Sequence, residues 1–172
     1  LVNKKNKILK KINFQTKNLN QKLLRYKFNR LFKDNLKIKK ILFCSVVPKI
    51  FLLFKKYLSN KFKIKCHEVK DLDLSSIIKI DVNYNQVGSD RITNAISVIN
   101  EKDNFIILDF GTATTFDVVL KKSYKGGVIA PGILISLNTL SNNASLIPKI
   151  DLKKVKKIVG VDTISAVRAG FF

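Results

Sequence analysis

The sequence has little glycine, proline, cysteine and histidine, and no methionine or tryptophan. Its 172 residues include seven glycines and three prolines, which excludes a collagen-like chain and argues against broad disorder. The two cysteines form no CxxC pair and His67 is the single histidine, so no zinc site is predicted. Cys44 ends the apolar run 41–44, where we expect a small buried side chain. Unpaired cysteines fit a reducing cytoplasm.

Long hydrophobic runs are also absent. No apolar run approaches the roughly 18–20 residues that a membrane span needs, and the N-terminus lacks the layout of a signal peptide. The apolar fraction of 46% is sufficient for a folded core, and the length fits one domain. We therefore expect a soluble, cytoplasmic globular protein with no membrane partner.

Acidic residues are scarce in the first part of the chain, and the net charge is +21. Residues 1–70 contain 21 Lys and Arg but only Asp34 and Glu68 as acids, whereas residues 71–172 contain 12 basic and ten acidic residues. Such a charge ordinarily points to nucleic acid or a membrane surface. However, the lysines are scattered among apolar positions, and only four of the basic residues are arginines, the better readers of phosphate and bases. Nucleic-acid binding is therefore the least favoured hypothesis.

The first part of the chain alternates strand and helix patterns. Period-two alternation or short apolar runs predict strands, and apolar residues at helical spacing predict helices. Strands separated by helices indicate an α/β fold with a partly parallel sheet. The predicted strands are 10–16, 40–47 and 61–69, with one helix capped by Asn18 and ending near 35 and another opened by Pro48.

The second part begins with a loop by composition at 83–91 and a helix from about 91 to 100. A buried strand at 105–110 and a second strand at 114–120 then form a predicted hairpin. A short strand at 124–130 leads through Pro131 and Gly132 into a helix. After an exposed basic segment at 153–157, Asp162 is expected to cap a last helix, 163–172.

The strongest local signal is the segment DFGTATT at 109–115, which follows a predicted strand. A glycine lets backbone N–H groups approach phosphate oxygens, a hydroxyl donates a hydrogen bond, and a carboxylate can hold a charge-balancing cation. The segment therefore favours a phosphate-holding turn, although a plain tight turn is an equally good interpretation of this segment alone. There is no GxxxxGK[ST] and no GxGxxG, so the site is neither a P-loop nor a dinucleotide fingerprint.

The second signal is Gly88-Ser89-Asp90-Arg91, at the start of a predicted helix. Asp90 could accept a proton from an attacking alcohol, and Arg91 could bind an anionic substrate group. Taken alone, Asp90 is better interpreted as the helix N-cap. The functional interpretation therefore requires a partner motif elsewhere in the chain.

Five segments together resemble one family, the type III pantothenate kinases. They are SVVP at 45–48, GSDR at 88–91, DFGTATT at 109–115, GGVIAPG at 126–132 and GVDT at 160–163, in the family's order and spacing. The resemblance implies the ribonuclease-H-like, actin-like ATPase fold of the acetate kinase, sugar kinase and actin superfamily. That fold has two related α/β domains with ATP and acceptor in the cleft between them. Residues 1–80 would be the remainder of the first domain and 81–172 the start of the second.

The activity that the resemblance implies is transfer of phosphate from ATP to pantothenate, giving 4′-phosphopantothenate at the entry to coenzyme A biosynthesis. On the acceptor side it implies that Asp90 is the proton acceptor. Gly88, Ser89, Asp90 and Arg91 would form the acceptor-binding loop, and Thr163 would be a further pantothenate contact. The family is also dimeric, which implies a homodimer.

On the nucleotide side, the resemblance implies that Gly111 and Thr112 contact ATP, and that Mg²⁺ accompanies the nucleotide. Asp109 would be the ligand of a monovalent cation, K⁺ or NH₄⁺. These roles are chemically coherent, because phosphoryl transfer depends mostly on positioning and on charge neutralisation.

The sequence also departs from the family pattern. It contains no Asp-x-Gly-Asn-Thr turn, with which the family opens, and no C-terminal portion completing the second domain, so we expect a fragment with impaired catalysis. Serine stands at position 89 where alanine is common. The stretch 81–87 is shorter than usual and lacks a proline, which leaves the role of Tyr84 as a pocket wall open.

Three hypotheses follow. The first is the kinase, which the set of motifs favours. The second is a catalytically inactive regulatory or accessory member of the same family, against which the presence of Asp90 and Asp109 argues. The third is a basic nucleic-acid-binding domain, which steep salt dependence of binding would reveal.

Overall fold

The computed structural model describes residues 1–13, 19–32 and 37–171. Within these residues the fold is mixed α/β, as the sequence predicts, with parallel and antiparallel strand pairs. No described helix has the length and apolar character to cross a membrane. The helices are α1 (Gln21–Leu31), α2 (Pro48–Phe62), α3 (Ser89–Val98), α4 (Ile133–Asn143) and α5 (Thr163–Gly170). The strands are β1 (Ile41–Phe43), β2 (Cys66–Glu68), β3 (Lys79–Ile80), β4 (Asn104–Phe110), β5 (Ala113–Leu120) and β6 (Ser123–Pro131).

The chain divides into two compact units. The first unit comprises Leu1–Ser76 and Gln86–Thr93, and the second comprises Ile77–Asn85 and Asn94–Phe172. The domain limits 1–80 and 81–172 that the sequence suggests stay a prediction.

The first unit is built around a parallel pair of strands joined by a helix. Strand β1 pairs with β2 from Ile41 opposite Cys66 to Phe43 opposite Glu68, and α2 is the connection between them. Helix α2 begins at Pro48, as expected, because proline has no N–H to lose in a first turn. It ends at Phe62 and is followed by the C-cap Lys63, whose φ of 55° is left-handed.

The core of the first unit lies between α1 and α2. Leu24 and Phe28 of α1 are buried together with Tyr57 and Leu58 of α2 and with Cys66. The ring of Phe28 lies 5.6 Å from that of Tyr57, at a tilt that aromatic pairs favour. Burial of these side chains is the main stabilising contribution in this unit.

Several predictions for the first unit are corrected. Residues 10–13 are not in a strand, and the rest of the predicted strand 10–16 lies outside the described residues. The predicted cap Asn18 also lies outside them; α1 is capped by Asn20, whose Oδ1 accepts the N–H of Leu23 at 2.9 Å. Strands 40–47 and 61–69 shrink to three residues each, and the second begins later than predicted because α2 continues to Phe62. Cys44 is exposed rather than buried because it follows β1, outside the paired strands.

The second unit contains a four-stranded sheet in the order β3-β6-β5-β4. Strands β4, β5 and β6 form an antiparallel meander, while the two residues of β3 pair in parallel with β6. Val119, Tyr124 and Asp117 are fully buried on one side of the meander. The Tyr124 hydroxyl donates to the buried Asp117 carboxylate at 2.6 Å, which offsets part of the cost of burying that charge.

Predictions for the second part of the chain are largely confirmed, with four corrections. Strand 105–110 is present but not buried: Ile106 is 67% and Phe110 64% exposed. The prediction of burial was wrong because an apolar run alone does not reveal whether both faces of a strand are covered. The third helix begins at Ser89 and ends at Val98, about two residues earlier than expected. Strand β3 was not predicted. The last helix ends at Gly170, and residue 172 lies outside the described residues.

Side chains on β3 and β6 converge on Asp81. Its carboxylate accepts hydrogen bonds from the ammonium of Lys125 and from the Ser123 hydroxyl at 2.7 Å, and it pairs with Lys79 at 2.9 Å. The Lys125 ammonium, then Ser123 and Lys79, lower the pKa of the Asp81 carboxyl well below its ordinary value. A group whose pKa is lowered by folding stabilises the fold above its ordinary pKa, and this contribution is lost as the pH falls.

We predict that Asp81→Asn makes thermal stability less sensitive to acid. Below about pH 4 the unfolded chain binds a proton at Asp81 while the folded wild type keeps this carboxylate ionised, so the Tm difference between wild type and variant shrinks as the pH falls. Thermal melts between pH 6 and pH 3 measure this, with the exposed Asp151→Asn as control. A Tm difference that stays constant over this range would contradict the prediction.

Candidate active site

Residues 87–91, here called the acceptor loop, lead into helix α3. Ser89 is buried, with 3% of its surface exposed, and its hydroxyl donates to the carbonyl of Ser45 at 3.2 Å. Asp90 is exposed, and its Oδ1 accepts the N–H of Arg91 at 2.8 Å. Because α3 begins at Ser89, Asp90 lies within the first helical turn and is not the N-cap. Its carboxylate therefore lies at the positive end of the helix, with access to solvent.

Gly88 determines where the Asp90 carboxylate can lie. A Cβ built on Gly88 would overlap Asp90 Oδ1 and lie 3.3 Å from Cγ1 of Val46. Any residue other than glycine would therefore push the carboxylate away from its position. The glycine of the GSDR motif thus has a steric role in this unit.

Two acidic side chains, Asp90 and Glu68, lie near Cys44, the residue that follows β1. Desolvation by the surrounding protein raises the pKa of the Cys44 thiol, a hydrogen bond from Thr93 opposes this, and the nearby charges of Asp90 and Glu68 raise it further. Glu68 is itself buried, at 9% exposure, and its Oε2 accepts the N–H of Lys70 at 2.6 Å. Cys44 is therefore not an activated nucleophile, because a raised pKa leaves it as a thiol at neutral pH.

The second group of predicted residues lies in the second unit, in the turn between β4 and β5. We call residues 109–115 the phosphate hairpin; Asp109 and Thr115 are directly opposite each other on the two strands. The Gly111 N–H donates to the carbonyl of Ala113 at 2.9 Å, which closes the turn. Asp109, Gly111 and Thr112 are exposed, and Asp109 Oδ2 accepts from the Asn94 amide at 3.1 Å.

Gly132 connects the phosphate hairpin to helix α4. Its N–H donates to the carbonyl of Thr112 at 3.1 Å, and its own carbonyl accepts the N–H of Ser136 in the first turn of α4. A Cβ on Gly132 would overlap the carbonyl oxygens of Gly111 and Thr112. The last glycine of GGVIAPG is therefore the residue that lets this segment contact the DFGTATT turn.

Thr163 lies in the second unit, exposed at the first position of α5. Asp162 caps this helix as predicted: its Oδ1 accepts the N–H of Ser165 at 2.8 Å, and Ser165 Oγ accepts the N–H of Asp162. Hydrogen bonding from the Ser165 backbone N–H, and then from the Ser165 side chain, lowers the pKa of the Asp162 carboxyl. The GVDT segment therefore forms a capped helix start that holds Thr163 at the surface.

Among the described residues, no group of three or more His, Cys, Asp or Glu side chains could hold a metal ion. An exposed carboxylate beside turn carbonyls, as at Asp109, supplies the oxygen ligands that hard cations prefer. A cation bound there would have to complete its ligands with water or with nucleotide oxygens.

Comparison with known proteins gives the family. The family model described as Type III pantothenate kinase matches residues 2–172. The chain is also 59% identical, over all of its 172 residues, to the type III pantothenate kinase of Pelagibacter ubique. The chain belongs to the type III pantothenate kinase family. A second type III pantothenate kinase, from Citrifermentans bemidjiense, is 40% identical over 138 residues, which are 78% of this chain.

The chain spans only part of these type III pantothenate kinases. It covers 69% of the Pelagibacter protein and 54% of the Citrifermentans protein. A solved chain from Campylobacter jejuni, named for the Baf family of transcriptional activators, matches 83% of this chain and 62% of its own length. Its TM-score is 0.48 and its identity 21%.

Sequence reasoning missed the side chains that support the acceptor loop. Lys70 and Glu68 belong to no motif, and Ser45 was noted only as part of SVVP. Contacts such as the one between Ser89 and Ser45 join residues 44 positions apart, for which a single sequence gives no periodic signal. The sequence motifs predict the candidate site residues, whereas the side chains that support them are visible only in the structure.

We predict that Gly132→Ala destabilises the second unit by about 1–3 kcal/mol, the usual cost of inserting a methyl group where there is no space. The added Cβ would displace the turn at Gly111 and Thr112, so amide exchange in the hairpin should accelerate as well. Urea denaturation and hydrogen–deuterium exchange measure the two effects.

The matched control is Gly170→Ala, because nothing lies within 4 Å of a Cβ at that position. The control should keep wild-type stability and hairpin exchange. If Gly132→Ala behaved as the control does, the close approach of Gly132 to the turn would be wrong.

Proposed function

We propose that the protein phosphorylates pantothenate with ATP and so forms 4′-phosphopantothenate at the entry to coenzyme A biosynthesis. The observation that carries the proposal is 59% identity along the whole chain to a protein named for this activity. The position of Asp90, exposed at the first turn of α3, supports it.

In the proposed reaction Asp90 is the general base. Its carboxylate accepts the proton of the primary alcohol of pantothenate while the alcohol oxygen attacks the γ-phosphorus of ATP. The bond from that phosphorus to the bridging oxygen breaks, and ADP leaves. The Arg91 N–H holds Asp90 Oδ1 at 2.8 Å, which orients the base, and the Arg91 guanidinium would attract the carboxylate of pantothenate. Gly88 and Ser89 complete this loop, and Thr163 is proposed as a further acceptor contact.

The phosphate hairpin is proposed as the nucleotide-binding element. Gly111 would let phosphate oxygens approach the backbone of the turn closely, and the hydroxyl of Thr112 would donate to them. Asp109 would hold a monovalent cation, K⁺ or NH₄⁺, with its exposed carboxylate, and Mg²⁺ would accompany ATP. These cations would offset the negative charge of the phosphates, and the residues named here would bind and orient them.

The proposal includes the architecture and assembly that the family resemblance implies. These are an actin-like ATPase fold with domains at 1–80 and 81–172, and a homodimer. The cytoplasm is the proposed location, and both free cysteines fit a reducing compartment. An inactive accessory role is not favoured, because Asp90 and Asp109 keep the residue types that the reaction requires.

The test is ADP release that depends on pantothenate and K⁺, measured for the chain completed to the full length of its relatives, called the wild type here, and for its Asp90→Asn variant. Loss of the base should lower kcat by about 10²- to 10⁴-fold, the usual contribution of general base catalysis. Asp151→Asn, an exposed carboxylate outside the acceptor loop and the phosphate hairpin, is the control and should retain activity.

Two results would contradict this proposal. Wild-type turnover by Asp90→Asn would show that another group accepts the proton. A folded wild-type protein that binds ATP but releases no ADP with pantothenate would indicate the accessory role instead.

A further inference from the structure

Lys70 lies in a short 3₁₀ helix, Val69–Asp71, directly after β2, and its side chain reaches the acceptor loop. The Lys70 ammonium donates to the carbonyl of Val87 at 2.9 Å, across 17 residues of sequence. Val87 is buried and immediately precedes Gly88. A charged donor makes a stronger hydrogen bond than a neutral one, so this contact fixes the direction of the backbone where the loop begins.

The backbone of Lys70 is itself held in place. Glu68 Oε2 accepts the Lys70 N–H at 2.6 Å and so closes the start of the 3₁₀ helix. Glu68 is buried at the end of β2, opposite Phe43 of β1. Lys70 is therefore anchored to the parallel strand pair, which belongs to the same unit as the acceptor loop.

A second bond holds the other side of Gly88. The Ser89 hydroxyl donates to the carbonyl of Ser45, which follows β1, at 3.2 Å. The two neighbours of Gly88 in the chain are therefore each hydrogen-bonded to a residue that lies two positions beyond the end of a strand. The Asp90 carboxylate lies so close to the Gly88 backbone that a Cβ on Gly88 would overlap Oδ1. A small shift of this backbone would therefore move the carboxylate.

We infer that Lys70 is a positioning residue for the acceptor loop, and that its bond to Val87 holds Asp90 in the geometry needed for proton transfer. Lys70 acts through the backbone of residues 87–89 and not by contact with a reacting atom. The kinetic consequence rests on the proposed function, whereas the structural consequence, a held loop, does not.

The first measurement is kinetic. Lys70→Met removes the donor but keeps a long apolar side chain, and a misplaced base should lower kcat with pantothenate by about tenfold to hundredfold. The KM for ATP should stay at the wild-type value, since the phosphate hairpin is untouched. Lys70→Arg should recover most of the lost activity, because a guanidinium can donate to the same carbonyl.

The second measurement is hydrogen–deuterium exchange of the wild type and the variants. In Lys70→Met, exchange should accelerate at residues 87–91 and remain unchanged in α1 and α2. The matched control is Lys65→Met, which removes the same charge from an exposed position just before β2. This control should leave both kcat and the exchange of the loop at wild-type values.

Three outcomes would overturn the inference. One is wild-type exchange at residues 87–91 in Lys70→Met. Another is an equal loss in Lys70→Met and Lys65→Met, which would indicate a general charge effect. The third is faster exchange throughout the first unit, with no recovery in Lys70→Arg, which would indicate a merely structural role. If the wild type did not phosphorylate pantothenate, the proposed function would fail, and loop exchange alone would decide the role of Lys70.

Discussion

The phosphate hairpin depends on one steric constraint, the absence of a side chain at Gly132. The backbone there contacts the carbonyls of Gly111 and Thr112 so closely that a Cβ would overlap both oxygens. This contact joins the β4–β5 turn to the end of β6 and to the start of α4. Two motifs that are separate in sequence therefore form one rigid element, which is the kind of support that a site needs if its exposed groups are to stay in place.

The first unit likewise places an exposed candidate site residue on buried supports. Asp90 is exposed, whereas Ser89 and Val87, which hold its loop, are buried. Solvent access lets a carboxylate meet its substrate, and buried hydrogen bonds restrict where that carboxylate can lie. Burial of the supports also explains why exposure alone would not identify them as functional residues.

The sequence predicted elements that have strong local signals. Pro48 correctly marks the start of α2, Asp162 correctly marks the cap of α5, and the apolar strands 104–110 and 113–120 form the expected hairpin. Strand β3 has only two residues, too few for a periodic pattern. The contact of Lys70 with the acceptor loop was not predictable either, because its partner Val87 is 17 residues away. Lysine is also so frequent in this sequence that a single lysine does not stand out.

Several lysines of the first unit have structural roles, which reduces the weight of the net charge as evidence for a partner. The Lys10 ammonium donates to the carbonyl of Leu31 at the end of α1, where a positive charge also stabilises the helix dipole. Lys61 donates to Asn29 at 2.6 Å, and the Lys55 ammonium lies 5.3 Å from the centre of the Phe51 ring. These cations join one element to another or cover an aromatic ring. A chain that uses lysine in this way can carry a large positive charge without binding nucleic acid, so the charge alone does not identify such a partner.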